Sequence, residues 1–157
     1  MRKQPSKIYR IPDDVVQRLP VKRTHPDAKV PTRGTKGSGG LDLYSTEDVV
    51  IGSGDIVGID TGVAFEIPDG YCGLLMTRSS MGRNGIRISA GANCIDADYR
   101  ASLLVHLTND GVYPWHVNKG DRIAQLVLVP VLMAEPFEVE ELSQTQRGGG
   151  GFGSTGR

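Results

Sequence analysis

Two cysteines, Cys72 and Cys94, are all that this chain contains. So sparse a set cannot build the disulfide framework of a small secreted domain, and its spacing is not the C-x-x-C of a redox or zinc motif. Both read as small, buried apolar residues. Charge of one sign is also missing, because Lys plus Arg and Asp plus Glu stand at 18 each. That balance excludes broad non-specific nucleic-acid binding, which needs a basic surplus, and makes any anion site local. No apolar run reaches the ~20 residues of a membrane helix. The basic start, MRKQPSKIYRIPDD, is followed by no apolar signal-peptide core. The expectation is a cytoplasmic protein with no membrane or direct nucleic-acid partner. His25, His106 and His116 show no metal-ligand spacing. His106, within LLVHLTN, reads as a strand residue with its polar atoms satisfied. No serine-hydrolase elbow and no P-loop lysine motif are found.

What is present suits one domain. A chain of 157 residues, 38% of them hydrophobic, can bury a substantial core. Residues 1–40 are polar and broken by proline and glycine, an irregular lead-in with room for one short strand near KIYRI. From 41 to 142 the segments DIVGIDTGVAFEI, YCGLLMTR, IRISAGANCI, ASLLVHLTN and RIAQLVLVPVLM are short and rich in Val, Ile and Leu. Turn signals such as PDG, NDG and NKGD separate them. No stretch keeps helical periodicity beyond a turn around SSMGRNG. The pattern predicts an all-β sandwich, jelly roll or barrel.

The chain then ends in RGGGGFGSTGR, with six glycines in eleven residues. GFGSTG matches the dinucleotide fingerprint G-x-G-x-x-G, but that motif needs a preceding strand and a following helix. The sequence stops one residue after Gly156, so the match is accidental. A disordered tail and a lid that orders over a phosphate-rich ligand both remain.

Three further stretches carry chemistry. In IDADYR, Asp96 and Asp98 stand two apart. A rigidly held carboxylate there could orient and deprotonate a water, and a plain turn with self-bonded aspartates is the simpler alternative. In MTRSSMGRNG, Arg78 with Ser79 and Ser80 at the end of a strand offers charge and hydroxyls to a phosphate. In GDRIAQLVL, Gln125 is the odd polar residue of a buried strand, either a structural hydrogen-bonder or a ligand contact.

Together these stretches resemble a known family. GGLDLYS, TRSSMGRNGI, GANCIDADYR, GDRIAQLVL and RGGGGFGSTG follow the order and approximate spacing of the five motifs of the trimeric dUTPases. HPDAKVPTRGTKGSGG is similar to that family's N-terminal stretch. The resemblance divides the chain into an extension over 1–20, a β domain over 21–146 and a glycine-rich arm over 147–157. It implies a homotrimer of distorted jelly-roll-like barrels with active sites shared between subunits. It implies hydrolysis of dUTP to dUMP and pyrophosphate with Mg²⁺ held by the triphosphate and waters, which limits uracil in DNA and supplies dUMP. Asp96 would activate the water that attacks the α-phosphorus. The uracil would lie in the hairpin of Gly91, Ala92, Asn93, Cys94 and Ile95, and Tyr99 would pack under the deoxyribose and refuse a 2′-hydroxyl. Arg78, Ser79, Ser80 and Gln125 would hold phosphates, with Asp42 organising the phosphate and metal region. The arm would close as a lid, Arg147 on the terminal phosphate, Phe152 on the uracil, and Gly153, Ser154 and Thr155 capping the phosphates.

Two positions depart from the family pattern: Ser80 and Asn93 stand where glycine is common. Arg-Ser-Ser followed by Arg83 also resembles the dCTP deaminases of the same fold. Their catalytic glutamate would fall on His106, and ASLLVHLTN has no carboxylate there, so dUTP hydrolysis is the better reading. A catalytically weak nucleotide-binding regulator is the remaining alternative.

Overall fold

The structure, a computed structural model, describes residues 18–89 and 93–150. The expected strand near KIYRI, the hairpin residues Gly91 and Ala92, and the arm residues Phe152, Gly153, Ser154 and Thr155 lie outside the described residues.

The described chain is nearly all β. Its elements are β1 (Val21–Arg23), β2 (Leu41–Tyr44), β3 (Val49–Ile51), β4 (Ile56–Asp60), β5 (Val63–Phe65), β6 (Tyr71–Met76), one helical turn α1 (Ser79–Gly82), β7 (Ile86–Ile88), β8 (Cys94–Ile95), β9 (Leu104–Asn109), β10 (Trp115–Val117) and β11 (Arg122–Pro130). They pair antiparallel into four small sheets, ordered β2-β11-β6-β8, β4-β9-β7, β10-β3 and β1-β5. Sequence neighbours are often not sheet neighbours, as in a jelly roll, where long connections carry strands between sheets.

Alternation decides the faces. Along β9, Val105, Leu107 and Asn109 are buried while Leu104, His106 and Thr108 are more open, the period-two pattern of a sheet with one covered face. In β11 both Ile123 and Ala124 are buried, breaking the alternation. The pairing with β2 shifts between Arg122 and Ala124, so a bulge turns two successive side chains inward. Leu43, Ile51, Ile59, Val105, Leu107, Ile123 and Leu126 form the centre of the core. Gly73 is forced by that packing, because a Cβ there would stand 2.7 Å from Leu126 Cδ1 and 3.3 Å from Ile95 Cβ.

The strands predicted between 41 and 142 appear, DIVGIDTGVAFEI as β4 and β5 and IRISAGANCI as β7 and β8. The lead-in is less irregular than expected, since β1 at Val21–Arg23 pairs with β5. One expectation about the core fails. Cys72 is buried, but Cys94 is exposed, because β8 is the edge of its sheet and one side of it opens onto a cleft.

β11 is the strand on which the sheet depends. Leu126→Ala, at a fully buried position between β2 and β6, should lower unfolding stability by about 2–5 kcal/mol, measured by urea unfolding at fixed protein concentration. A loss well under that range would place the core elsewhere.

Candidate active site

Three strands of one sheet bring the phosphate-type residues together. Asp42 on β2 stands opposite Gln125 on β11, and Gln125 stands opposite Met76 on β6. Two residues past Met76, Arg78 turns back toward β2. Its Nε donates to Asp42 Oδ1 at 3.1 Å, and Arg122 Nη1 donates to Asp42 Oδ2 at 3.2 Å. Arg78 Nη1 also reaches the Arg122 carbonyl at 3.3 Å. Asp42 is only 4% exposed, so an unpaired carboxylate would be costly there and the two guanidinium groups are what make it tolerable. Its backbone is fixed as well, by an N–H bond of 2.7 Å to the Thr32 carbonyl. Gln125 is half-buried and passes beneath Gly40, where a Cβ would come within 3.0 Å of Gln125 Oε1.

Ser79 and Ser80 open α1 and are exposed. The first N–H groups of a helical turn have no partner inside it. Arg78, Ser80, Trp115, Asp121 and Arg122 line a cavity of about 220 Å³ there. This half is polar and cationic.

Asp96 and Tyr99 form a second, separate half. β8 ends at Ile95, and the N–H of Tyr99 donates to the Asp96 carbonyl at 3.2 Å, closing a turn. That turn settles the fate of the two aspartates, for Asp96 and Asp98 do not share a strand face. The Tyr99 hydroxyl donates to the Ser102 carbonyl at 3.2 Å, and the Ser102 hydroxyl donates to Asp60 Oδ1, which ties the turn to the end of β4. Cys94, Ile95, Asp96, Tyr99, Leu103, Leu104 and His106 line a cavity of about 240 Å³. Its walls are mostly apolar, with one carboxylate at the rim.

His106 departs from expectation. Its Nδ1 is buried and has no hydrogen-bond partner among the described residues, so it is not the satisfied strand residue that LLVHLTN suggested. The ring stands against Gly58 on β4, where a Cβ would meet Nε2 at 2.9 Å. A buried polar atom without a partner is rare and calls for a reason. Only the alternation of β9 hinted at it, by placing position 106 on the face away from the core.

The two halves do not meet within one chain. Ile95 stands opposite Gly73, so Asp96 follows opposite Cys72, while Arg78 lies six residues further along the same direction. At ~3.3 Å per residue that is about 20 Å, too far for the two side chains to act on one α-phosphate. Asn93 belongs to the Asp96 half, its carbonyl accepting from the Leu75 N–H at 2.8 Å. Arg147 belongs to neither. It lies in the exposed run after β11, its Nε donating to the Gly150 carbonyl at 3.1 Å.

Among the described residues, no three His, Cys, Asp or Glu side chains group as a metal cage, and the buried carboxylate of Asp42 is committed to two arginines. No helix of the described residues is long and apolar enough to cross a membrane.

This geometry meets known proteins directly. The family model for dUTPase matches residues 26–156. The chain belongs to the dUTPase family. The deoxyuridine 5'-triphosphate nucleotidohydrolase of Nautilia profundicola is 44% identical over 141 residues, covering 89% of this chain and 99% of that one. That of Paramecium bursaria Chlorella virus 1 is 41% identical over 139 residues, covering 88% and 97%. The dUTPase of Staphylococcus bacteriophage 80alpha, solved with dUpNHpp, superposes with a TM-score of 0.84 at 34% identity, covering 90% of this chain and 99% of that one. A dUTPase from phage phi11 of S. aureus, described with a structural Mg(II) ion, superposes with a TM-score of 0.73 at 31% identity, covering 79% and 97%.

The Asp42 cluster makes a graded prediction. Asp42→Ala leaves Arg78, whose side chain is 20% exposed, without its carboxylate partner, and should cost about 3 kcal/mol of unfolding stability. Arg122→Ala removes the partner that is 48% exposed and should cost under about 1 kcal/mol. Equal, small losses in thermal or urea unfolding would deny Asp42 its organising role.

Proposed function

We propose that this dUTP diphosphatase works as a homotrimer, with each active site assembled from different copies. The observation that carries the reading is the separation of the two halves. A pocket for base and sugar with a carboxylate at its edge stands about 20 Å along β6 from a cationic phosphate half, and membership of the dUTPase family gives both halves one substrate.

In this reading uracil and deoxyribose enter the apolar cavity around Cys94, Ile95, Tyr99 and Leu104. Gly91, Ala92 and Asn93 contribute hairpin backbone groups, and His106 forms part of the cavity wall. Tyr99 lies flat under the sugar, leaving no space for a 2′-hydroxyl. The triphosphate extends toward Arg78, Ser79, Ser80 and Gln125 of a neighbouring copy. The triphosphate oxygens and waters would supply the ligands of Mg²⁺ and its charge would offset that of the phosphates, in keeping with the ion's preference for water over all-protein cages. Asp96 accepts a proton from a water as its oxygen attacks the α-phosphorus. The bond from that phosphorus to the bridging oxygen breaks, and pyrophosphate leaves. Catalysis is then positioning and charge stabilisation, the usual demands of phosphoryl chemistry.

The segment beyond β11 supports association. Leu132, Met133, Phe137 and Leu142 are each more than 80% exposed, at 87%, 82%, 82% and 85%. Such a run on a detached segment suits burial against another copy. Carried there, Arg147 and the arm residues Phe152, Gly153, Ser154 and Thr155 close over a neighbour's nucleotide, with glycines supplying the backbone freedom. The boundaries proposed are an extension over 1–20, a β domain over 21–146 and an arm from 147. The deaminase reading is disfavoured by the pocket itself, whose lining among the described residues holds no carboxylate besides Asp96.

The test follows products by chromatography with dUTP, dCTP, dTTP and UTP in parallel. dUMP and pyrophosphate should form from dUTP alone. Asp96→Asn should lower kcat by about 10²–10⁴-fold while nucleotide binding persists. Undiminished turnover in that variant would take Asp96 out of the mechanism, and release of ammonia from dCTP would replace the reaction.

A further inference from the structure

The two cysteines that composition dismissed come together beside Asp96. β8 pairs with β6 so that Leu74 stands opposite Cys94 and Gly73 opposite Ile95. Cys72 and Cys94 are therefore diagonal neighbours on one face of the sheet. Both line one cleft of about 660 Å³, together with Asp69, Asp96 and Asp98. Cys94 also lines the smaller cavity with Tyr99 and His106. One thiol is exposed and the other buried. Burial first, then contact with the Cys94 thiol and the nearby charge of Asp96, push the Cys72 thiol up from its ordinary value. Cys72 therefore stays protonated and is slow to react with an external oxidant, whereas Cys94 meets solvent.

We propose that Cys72 and Cys94 form an oxidation site, in which a peroxide converts Cys94 to a sulfenic acid that Cys72 resolves to a disulfide, withdrawing Cys94 and Asp96 from the nucleotide pocket. In the first step the Cys94 sulfur attacks the O–O bond, which breaks to leave Cys94–SOH and one water. In the second the Cys72 sulfur attacks Cys94 Sγ, the S–O bond breaks, and the Cys72 proton leaves with the hydroxyl as a second water. The two sulfurs together lose two electrons, and the peroxide gains them.

The geometry says why closure should alter the site. Diagonal neighbours across antiparallel strands are ~7–8 Å apart, and a disulfide wants its Cα atoms within ~4.4–6.8 Å. Something has to move. β6 is held on its other side by β11 along its whole length, whereas β8 is a two-residue edge strand. β8 gives way, and Asp96, the next residue along the chain, goes with it.

The experiment uses the full-length protein and titrates it with hydrogen peroxide. Two thiols should fall to none, with a mass loss of two hydrogens and a Cys72–Cys94 linked peptide in a non-reducing digest. dUTP turnover should fall in step and return on adding dithiothreitol. Cys72→Ala should give a Cys94 sulfenic acid trapped by dimedone, with no linked peptide. Two thiols surviving the titration, or Cys94 joined to Cys94 of another copy, would overturn the pairing. A linked pair with unchanged turnover would overturn its effect on the site. The effect on turnover rests on the role given to Asp96, but the thiol count does not, so failure of the hydrolase reading and failure of the pair are separately visible.

Discussion

A carboxylate removed almost wholly from water has to be neutralised where it stands, and Asp42 is neutralised by two arginines, one just past the end of β6 and one at the start of β11. That requirement draws the end of β6 and the start of β11 onto β2. It sets the direction of the Arg78 guanidinium and, through the backbone, the place where α1 begins. Ser79, Ser80 and Gln125 take their positions from the same sheet register. The arginine cluster is thus a consequence of one buried charge and the strands that satisfy it. A surface ion pair of the same residues would hold nothing so firmly, because solvent would screen it and long side chains would wander.

The same sheet keeps the two halves apart. β6 has Arg78, Ser79 and Ser80 beyond its C-terminal end and the Asp96 cavity beside its N-terminal half, where β8 pairs. A strand is too stiff to fold back on itself, so no rearrangement of side chains lets Arg78 and Asp96 serve one phosphate in a single copy. Symmetric assembly removes the difficulty without moving the strand, since the far half of one copy can lie against the near half of the next. The exposed apolar run after β11 is consistent with that arrangement, being hard to reconcile with an isolated chain in water.

Much of this was legible in the sequence, and the unread part has definite causes. Runs such as ASLLVHLTN and RIAQLVLVP declare themselves as strands because five or more residues show period and composition together. VKR, VVI and WHV, the strands β1, β3 and β10, are three residues each, too short for any period to be visible. The stretches around Asp96, Arg78 and Gln125 stood out by residue type and order. Their division into two halves was not, because it depends on which strand pairs with which. Cys94 and His106 were misjudged for a related reason. Both sit within apolar sequence, yet a sheet edge opens one to the cleft, and the other's Nδ1 is buried without a partner among the described residues.

The most direct measurement mixes two disabled chains. Asp96→Asn and Arg78→Ala protein would be purified separately, unfolded or dissociated together in equal amounts, and reassembled, with dUTP turnover recorded before and after. Sites shared between copies predict that turnover reappears in the mixture, from the roughly one quarter of sites that draw Asp96 and Arg78 from different, intact donors. A mixture no more active than its two components, with exchange of chains verified by mass, would contradict the shared site.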